Sequence, residues 1–280
     1  MTSTVLKLIA LITMLIDHIW AFIPNTPYYF HWIGRISAPI FTYCCVLGIT
    51  NTKDKKKYLM RLYVFSLLMG VVNYILDIQY NFIRTLLLIS IIIFIVEKFK
   101  SNDKYANKYL IAFIMWQVIT FISILILSQV GLTDKSIFLL LTVFLNISIL
   151  DGGILFVLIG LLMYFYRNSK FKLSISFIAI TCLNLILYNT NIIRLIFTKL
   201  NHFDMFIGSI YEMLCKIFLG VHPAFMQTNL LYEDPQWMMI FSLPFILMYN
   251  QEKGRGFKYL FYIFYPTHII ILYFIARIFF

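Results

Sequence analysis

The chain has 280 residues, of which 61% are hydrophobic and 12% are charged. Soluble domains are about 45–50% apolar and about 25% charged, so this composition excludes an ordinary soluble fold and favours a polytopic membrane protein. Lys and Arg number 23 against 12 Asp and Glu, which gives a net charge of +11. In a membrane protein this excess indicates orientation and contact with anionic lipids rather than binding of nucleic acid.

Apolar stretches of about 20 residues, the length that crosses the hydrocarbon core, recur along the chain. They predict an all-α, polytopic membrane bundle of about nine to eleven transmembrane segments, forming a single domain over residues 1–280. The expected spans are 5–23, 32–50, 58–76, 82–97, 108–129, 136–166, 172–189, 236–250 and 257–279. Segment 205–220 carries Glu212 and Lys216 and suits either a span or an interfacial helix.

Basic residues concentrate in a few of the loops between these spans. The basic loops are residues 51–61, 97–108, 167–172 and 251–258. The loops nearly free of Lys and Arg are residues 24–31, 77–81 and 130–135. Because positively charged loops stay in the cytoplasm, we expect a cytoplasmic N-terminus and a first helix that runs outward.

Segment 136–166 is too long for one straight span, and Asp151-Gly152-Gly153 divides it in the middle. We therefore predict a broken helix near Asp151, of the kind that lines a protein-enclosed cavity. Three roles are open for the Asp151 carboxylate: it caps a half-helix, pairs with Arg35, or lines a substrate path.

Ionisable residues inside spans are candidate site residues, because a charge is costly to place in lipid. Lys7 and His18 in the first span are eleven residues apart. This spacing returns them to one helix face, about 16 Å apart along the axis. Asp17 points about a third of a turn away. The alternative interpretation makes Lys7 a snorkelling end residue and His18 an interfacial one.

Two other spans carry polar residues near one end. Arg35, in GRISAPIF, presents a guanidinium that suits a phosphate, a carboxylate or an oxyanion. A snorkelling role, or an ion pair with Asp17 or Asp151, is the alternative. Tyr265 and His268 form a Tyr-Pro-x-His element in the last span, where a lone His is more often structural than catalytic.

The four cysteines lack metal-ligand spacing, so we expect no metal site.

Together these blocks resemble the TraX family, membrane proteins named for acetylation of the F-type pilin N-terminus. The matching segments are KLIALITMLIDHI, GRISAPIF, KKKYLMRL, LDGGILFVLIGLLMYFYR, QWMMIFSLPFILMYN and KYLFYIFYPTHIIILY. Gly152 stands where the family has an aromatic residue. The spacing of Lys7 and His18 is also similar to that of a wider group of transmembrane acyltransferases that decorate polysaccharides.

The resemblance implies acetyl transfer from acetyl-coenzyme A in the bacterial cytoplasmic membrane. The acceptor would be an amine or hydroxyl of a pilin-like protein, a secreted peptide or a cell-wall glycan. Neutral His18 would be the general base, with Asp17 fixing its tautomer. Arg35 would bind coenzyme phosphate or polarise the thioester carbonyl, and Lys7 would attract the phosphates. His268 would be a second acid/base or a packing partner.

Two other functions suit the same residues. A transporter or flippase of a small anionic or lipid-linked compound would also use a broken helix and intramembrane charges. A non-catalytic subunit of pilus or envelope assembly would need no chemistry. Residues 191–235 form either an acceptor lid or an interfacial segment.

Overall fold

The computed structural model describes residues 1–129, 131–148, 150–189, 192–219, 231–232, 235–256 and 258–280. Within these residues the fold is helical and contains no β-strand, as predicted. The helices long and apolar enough to cross a membrane are Ser3–Phe22, Tyr29–Asn51, Lys55–Leu76, Ala106–Leu127 and Tyr259–Phe279. Shorter apolar helices lie at Gly153–Tyr166, Met205–Cys215 and Pro235–Leu247. The chain is therefore a polytopic helical membrane protein.

The α-helices are numbered in chain order. They are α1 (Ser3–Phe22), α2 (Tyr29–Gly34), α3 (Ser37–Asn51), α4 (Lys55–Leu76), α5 (Phe82–Lys100), α6 (Ala106–Gln129), α7 (Asp134–Val143), α8 (Gly153–Tyr166), α9 (Lys170–Asn189), α10 (Ile192–Phe203), α11 (Met205–Leu219), α12 (Leu243–Leu247) and α13 (Lys258–Phe279). A 3₁₀ helix, Pro235–Ser242, precedes α12.

The described residues form two compact units. The first takes Met1–Cys44, Leu158–Lys216 and the described part of Val221–Phe280. The second takes Cys45–Val157 and the described part of Ile217–Gly220. The single domain over residues 1–280 stays a prediction.

In the first unit, the start of α1 is joined to the segment that precedes α13. The backbone N–H of Ser3 donates to the carbonyl of Glu252 at 2.8 Å, and that of Thr4 donates to Lys253 at 3.2 Å. The Thr4 hydroxyl also donates to the Lys253 carbonyl, at 2.9 Å. These bonds fix the beginnings of α1 and α13 at the same end of the unit.

One expected span takes another form. Residues 236–250 contain all but the first residue of the 3₁₀ helix, followed by the short α12, instead of one continuous α-helix. Pro244 lies in the first turn of α12, and a proline there lacks the N–H that would continue a preceding helix. The resulting helical stretch, Pro235–Leu247, is shorter than the ~20 residues that cross a bilayer.

In the second unit, α4 packs against α5 and α7, and α6 packs against the same two helices. Asp54 caps α4, because its side chain accepts the backbone N–H of Lys57 at 3.0 Å. This hydrogen bond holds the pKa of the exposed Asp54 carboxyl below its usual value. Gly70 lets α4 approach Thr142 of α7, since a Cβ at position 70 would lie 2.9 Å from the Thr142 methyl.

The predicted break near Asp151 is confirmed, because α7 ends at Val143 and α8 begins at Gly153. Gly152 adopts φ +79°, a conformation that glycine adopts without strain. The Asp151 carboxylate accepts the backbone N–H of Asn81 at 2.6 Å, just before α5. The Asp151 carbonyl accepts the hydroxyl of Thr85 at 3.2 Å. Asp151 therefore ties the break to the beginning of α5.

Segment 191–235 is described only in part. Within it, α11 follows α10 directly, and the Tyr211 hydroxyl donates to the Ile193 carbonyl at 3.4 Å. Residues 191, 220–230 and 233–234 lie outside the described residues, so the last position of the segment 205–220 does too. Its role as a lid or an interfacial segment stays a prediction.

Candidate functional site

Lys7 and His18 of α1 both face α13, as their spacing predicts. The Lys7 Nζ lies 5.5 Å from the centre of the Phe261 ring, a cation–π contact. The His18 ring lies beside that of His268 and nearly parallel to it, with ring centres 4.9 Å apart. Because the contacts advance together along both helices, α1 and α13 run in the same direction. Lys7 and His18 thus lie at different depths of one seam.

His18 and His268 form a buried hydrogen-bonded pair that joins residues 250 positions apart in the chain. Nδ1 of His18 lies 2.6 Å from Nε2 of His268. Nδ1 of His268 lies 2.7 Å from the carbonyl of Phe264. A carbonyl only accepts, so His268 donates through Nδ1 and, when neutral, accepts through Nε2. His18 must then donate through Nδ1, which places its basic lone pair on Nε2.

Aromatic rings surround this pair. Tyr265 presents its ring edgewise to both imidazoles, at 6.3 Å from His18 and 5.8 Å from His268. Phe264 stacks on His268 at 4.8 Å. The two histidines are only 6% and 5% exposed. The two imidazoles are therefore enclosed by aromatic rings inside the first unit.

Asp17 does not orient His18, and the prediction that it would is wrong: the acceptor for the His18 Nδ1–H is His268. The Asp17 carboxylate binds Nη2 of Arg35 through both oxygens, at 3.1 and 3.0 Å. It also lies 2.8 Å from Nδ1 of His31. The physical reason is the helix period, which turns adjacent side chains to different sides of α1.

Arg35 lies at the break between α2 and α3. The sequence left two possible ion-pair partners for it, Asp17 and Asp151. Its pairing with Asp17 is the one present, whereas Asp151 lies in the second unit and binds Asn81. Nη1 of Arg35 donates to the side-chain oxygen of Gln236 at 2.9 Å. Nε of Arg35 is buried and has no hydrogen-bond partner among the described residues. The guanidinium is thus anchored at one end and retains an N–H donor.

Two members of this network, His31 and Gln236, were not predicted as site residues. His31 is the last residue of the stretch 24–31, which is nearly free of basic residues, and its ring stacks on Trp20, with centres 4.0 Å apart. The available signal was its spacing of four residues from Arg35, which puts both on one face of a helix. Gln236 offers no comparable signal, because its partner is about 200 positions away in the chain.

The structure thus brings most of the predicted residues into one unit. The first unit holds Lys7, Asp17, His18, Arg35, Tyr265 and His268. Asp151 belongs to the second unit. Within the first unit, the His18–His268 pair offers an oriented base and Arg35 offers a fixed cationic donor. Such a set suits proton transfer combined with binding of an anion or oxyanion.

Comparison with protein families shows that the model described as TraX protein matches residues 2–199. Comparisons with curated proteins and with solved structures give no match. The matched range covers well over half of the chain. It includes Lys7, Asp17, His18 and Arg35, while Tyr265 and His268 lie beyond it. The chain therefore belongs to the TraX family.

Proposed function

We propose that this protein is a membrane-embedded acetyltransferase that uses acetyl-coenzyme A, with His18 as its general base. The observation that carries the proposal is the chain of hydrogen bonds from His18 through His268 to the Phe264 carbonyl. A base must be neutral and must hold its lone pair in a fixed direction. When both rings are neutral, the hydrogen bonds of the His18–His268 pair fix the direction of the lone pair on Nε2 of His18.

The reaction needs little beyond this base, because a thioester is already activated. Nε2 of His18 takes the proton of an acceptor amine or hydroxyl as its nitrogen or oxygen bonds to the acetyl carbon. The carbon–sulfur bond then breaks, and the same proton passes from His18 to the coenzyme thiolate. The products are the acetylated acceptor and free coenzyme A. Proton transfer of this kind contributes about 10²–10⁴-fold to a rate.

Arg35 is the proposed electrostatic partner. Its buried Nε–H suits the negative charge that develops on the thioester oxygen, or a phosphate oxygen of the coenzyme. Asp17 and Gln236 hold the guanidinium in one orientation. We assign Asp17 to positioning of Arg35 rather than to proton transfer.

Lys7 is the proposed contact for the coenzyme phosphates. It lies near the start of α1, the end that hydrogen bonds join to the loop 251–258. This loop carries Lys253 and Arg255. Because basic loops stay in the cytoplasm, this juxtaposition supports a cytoplasmic N-terminus in the bacterial cytoplasmic membrane. Cytoplasmic coenzyme would then meet Lys7 first.

The proposed acceptor is an amine or hydroxyl in the cell envelope. The family takes its name from a pilin acetylase, which supports a pilin-like protein, and a secreted peptide or a cell-wall glycan presents the same nucleophiles. An amide and an ester product differ in chemical stability, since mild alkali cleaves an O-acetyl ester and leaves an N-acetyl amide intact.

The test uses the full chain in lipid nanodiscs with acetyl-labelled acetyl-coenzyme A and an envelope extract from a deletion strain. We expect label in a macromolecular or lipid fraction, with one coenzyme thiol released for each acetyl group transferred. Alkali treatment then assigns the product as amide or ester. Unlabelled extract with intact coenzyme would refute the proposal in favour of a transporter or an assembly subunit.

A further inference from the structure

The second unit contains a cavity of about 340 Å³, lined by α4, α5, α7 and the residues just before α8. Ligand pockets range from about 300 to 1,000 Å³, so this one has room for a single small ring. Arg84, Thr142 and Asp151 supply charged and polar atoms in its lining, while Asp77, Asp134 and Lys135 stand on the exposed loop side.

Arg84 is the most unusual residue of this lining. It lies in the first turn of α5 and is only 2% exposed, although burying a charge inside a membrane protein is costly. Its Nη1 donates to the hydroxyl of Thr142 at 3.3 Å. The nearby Asp151 carboxylate attracts it and accepts the backbone N–H of Asn81. The guanidinium of Arg84 and the carboxylate of Asp151 thus line the same cavity, and no other side chain fills the space beside them.

The charges of the lining nearly balance. Arg84 and Lys135 give +2, and Asp77, Asp134 and Asp151 give −3, so the sum is −1. Lys135 and Asp77 already form an ion pair at 2.8 Å. A simple anion would meet more carboxylates than cations in this pocket, and a simple cation would meet the buried Arg84. The balance therefore favours a neutral ligand.

The hydrogen-bonding groups indicate what kind of neutral ligand fits. Arg84 only donates and Asp151 only accepts, so a group that does both, such as a hydroxyl, suits the space beside them. The amides of Asn73 and Gln79 add both functions to the lining. The ring of Tyr74 adds an apolar surface against which the C–H face of a sugar ring would pack.

The position of the cavity indicates where such a ligand comes from. Asp77 is the first residue of the stretch 77–81, and Asp134 begins α7 within the stretch 130–135. Both stretches are nearly free of basic residues and are expected on the outer side of the membrane. We propose that this cavity is a binding site for one sugar residue of an envelope glycan or glycolipid. This site does not depend on the acetyl-transfer proposal, since its residues belong to the second unit.

Binding can be measured by saturation-transfer NMR on the full chain in phosphatidylcholine nanodiscs, which avoids sugar-based detergents. The probes are glucose, galactose, mannose, N-acetylglucosamine and myo-inositol. Glycine is the zwitterionic comparator. Phosphate is the anionic comparator, and its binding is followed by the width of its ³¹P line. We expect saturable binding of at least one sugar. Tyr74→Ala should weaken it by about tenfold, as expected when a stacking ring is lost.

The matched control is Tyr105→Ala, because Tyr74 and Tyr105 are both 44% exposed and only Tyr74 lines the cavity. Thr142→Val tests the deep end of the cavity. The folding of this variant is checked by size exclusion and thermal unfolding. Saturable sugar binding that both pocket variants weaken and the control leaves unchanged would support the proposal. Absence of binding by every sugar, equal binding by Tyr74→Ala, or binding of phosphate or glycine alone would overturn it.

Discussion

The carboxylate of Asp17 rests against the bare α-carbon of Gly34. A Cβ at position 34 would overlap the Asp17 side chain. This close approach brings α1 and α2 together next to Arg35, so Gly34 and Arg35 together determine the position of Asp17. The glycine admits the carboxylate, and the arginine binds it at 3.0 Å.

Gly34→Ala is therefore expected to lower both stability and activity. Overpacking of this kind costs about 1–3 kcal/mol, and the displaced Asp17 would no longer hold Arg35. Thermal unfolding and the rate of acetyl transfer measure the two effects. Gly256→Ala is the control, because among the described residues nothing lies within 4 Å of a Cβ there. Equal behaviour of the two variants would show that the approach of Asp17 to Gly34 is unimportant.

His268 is expected to act as a positioning residue for His18. His268→Leu removes the acceptor for the His18 Nδ1–H, so kcat should fall by about tenfold or more while KM for acetyl-coenzyme A changes little. His268→Gln supplies a side-chain oxygen that accepts the same hydrogen and should restore part of kcat. If the Leu and Gln variants lose kcat equally at equal stability, the role of the hydrogen bond is refuted.

Asp17 and Arg35 are expected to be energetically coupled. Their side chains are 17% and 24% exposed, so removal of one partner leaves a partly buried charge without its counterion. Asp17→Asn and Arg35→Gln should each destabilise the protein, and the double variant should be more stable than the sum of the two losses predicts. The coupling should be about 0.5–3 kcal/mol in chemical unfolding. Strict additivity would argue against the pair.

The junction between the N-terminal residues and the loop before α13 is expected to require Gly254. This glycine has φ +73°, and a Cβ there would lie 2.5 Å from the hydroxyl oxygen of Thr2. Gly131 has a similar φ of +82° and nothing within 4 Å of a Cβ in the described part of the chain. Gly254→Ala should therefore lower the unfolding temperature more than Gly131→Ala, which carries only the backbone strain. A larger effect at Gly131 would contradict this account of the junction.

Local patterns predicted much of the architecture. A spacing of eleven residues from Lys7 to His18 is enough to place both on one side of α1, and Asp151-Gly152-Gly153 is enough to indicate the break between α7 and α8. Both inferences need only the helix period and the backbone preferences of glycine. The rule that singles out Arg35, an ionisable residue inside a span, applies equally to Arg84 in the expected span 82–97.

Contacts between residues far apart in the chain could not be predicted from the sequence. His268 meets His18 only because α1 and α13 run in parallel, and no periodicity in either helix indicates that pairing. The choice of Asp17 between His18 and Arg35 likewise depends on how closely α2 approaches α1, which Gly34 permits. Such contacts arise from tertiary packing, so spacing along one helix cannot specify them.

The central claim is that Nε2 of His18 takes the proton of the acceptor. Its most direct test is the single-turnover rate of acetyl transfer by His18→Gln, measured at saturating acetyl-coenzyme A with Asn107→Gln, at an exposed position of α6, as the control. We predict a fall of about 10²–10⁴-fold for His18→Gln, with stability retained and the control unchanged. A folded His18→Gln protein that transfers acetyl at the wild-type rate would contradict the account.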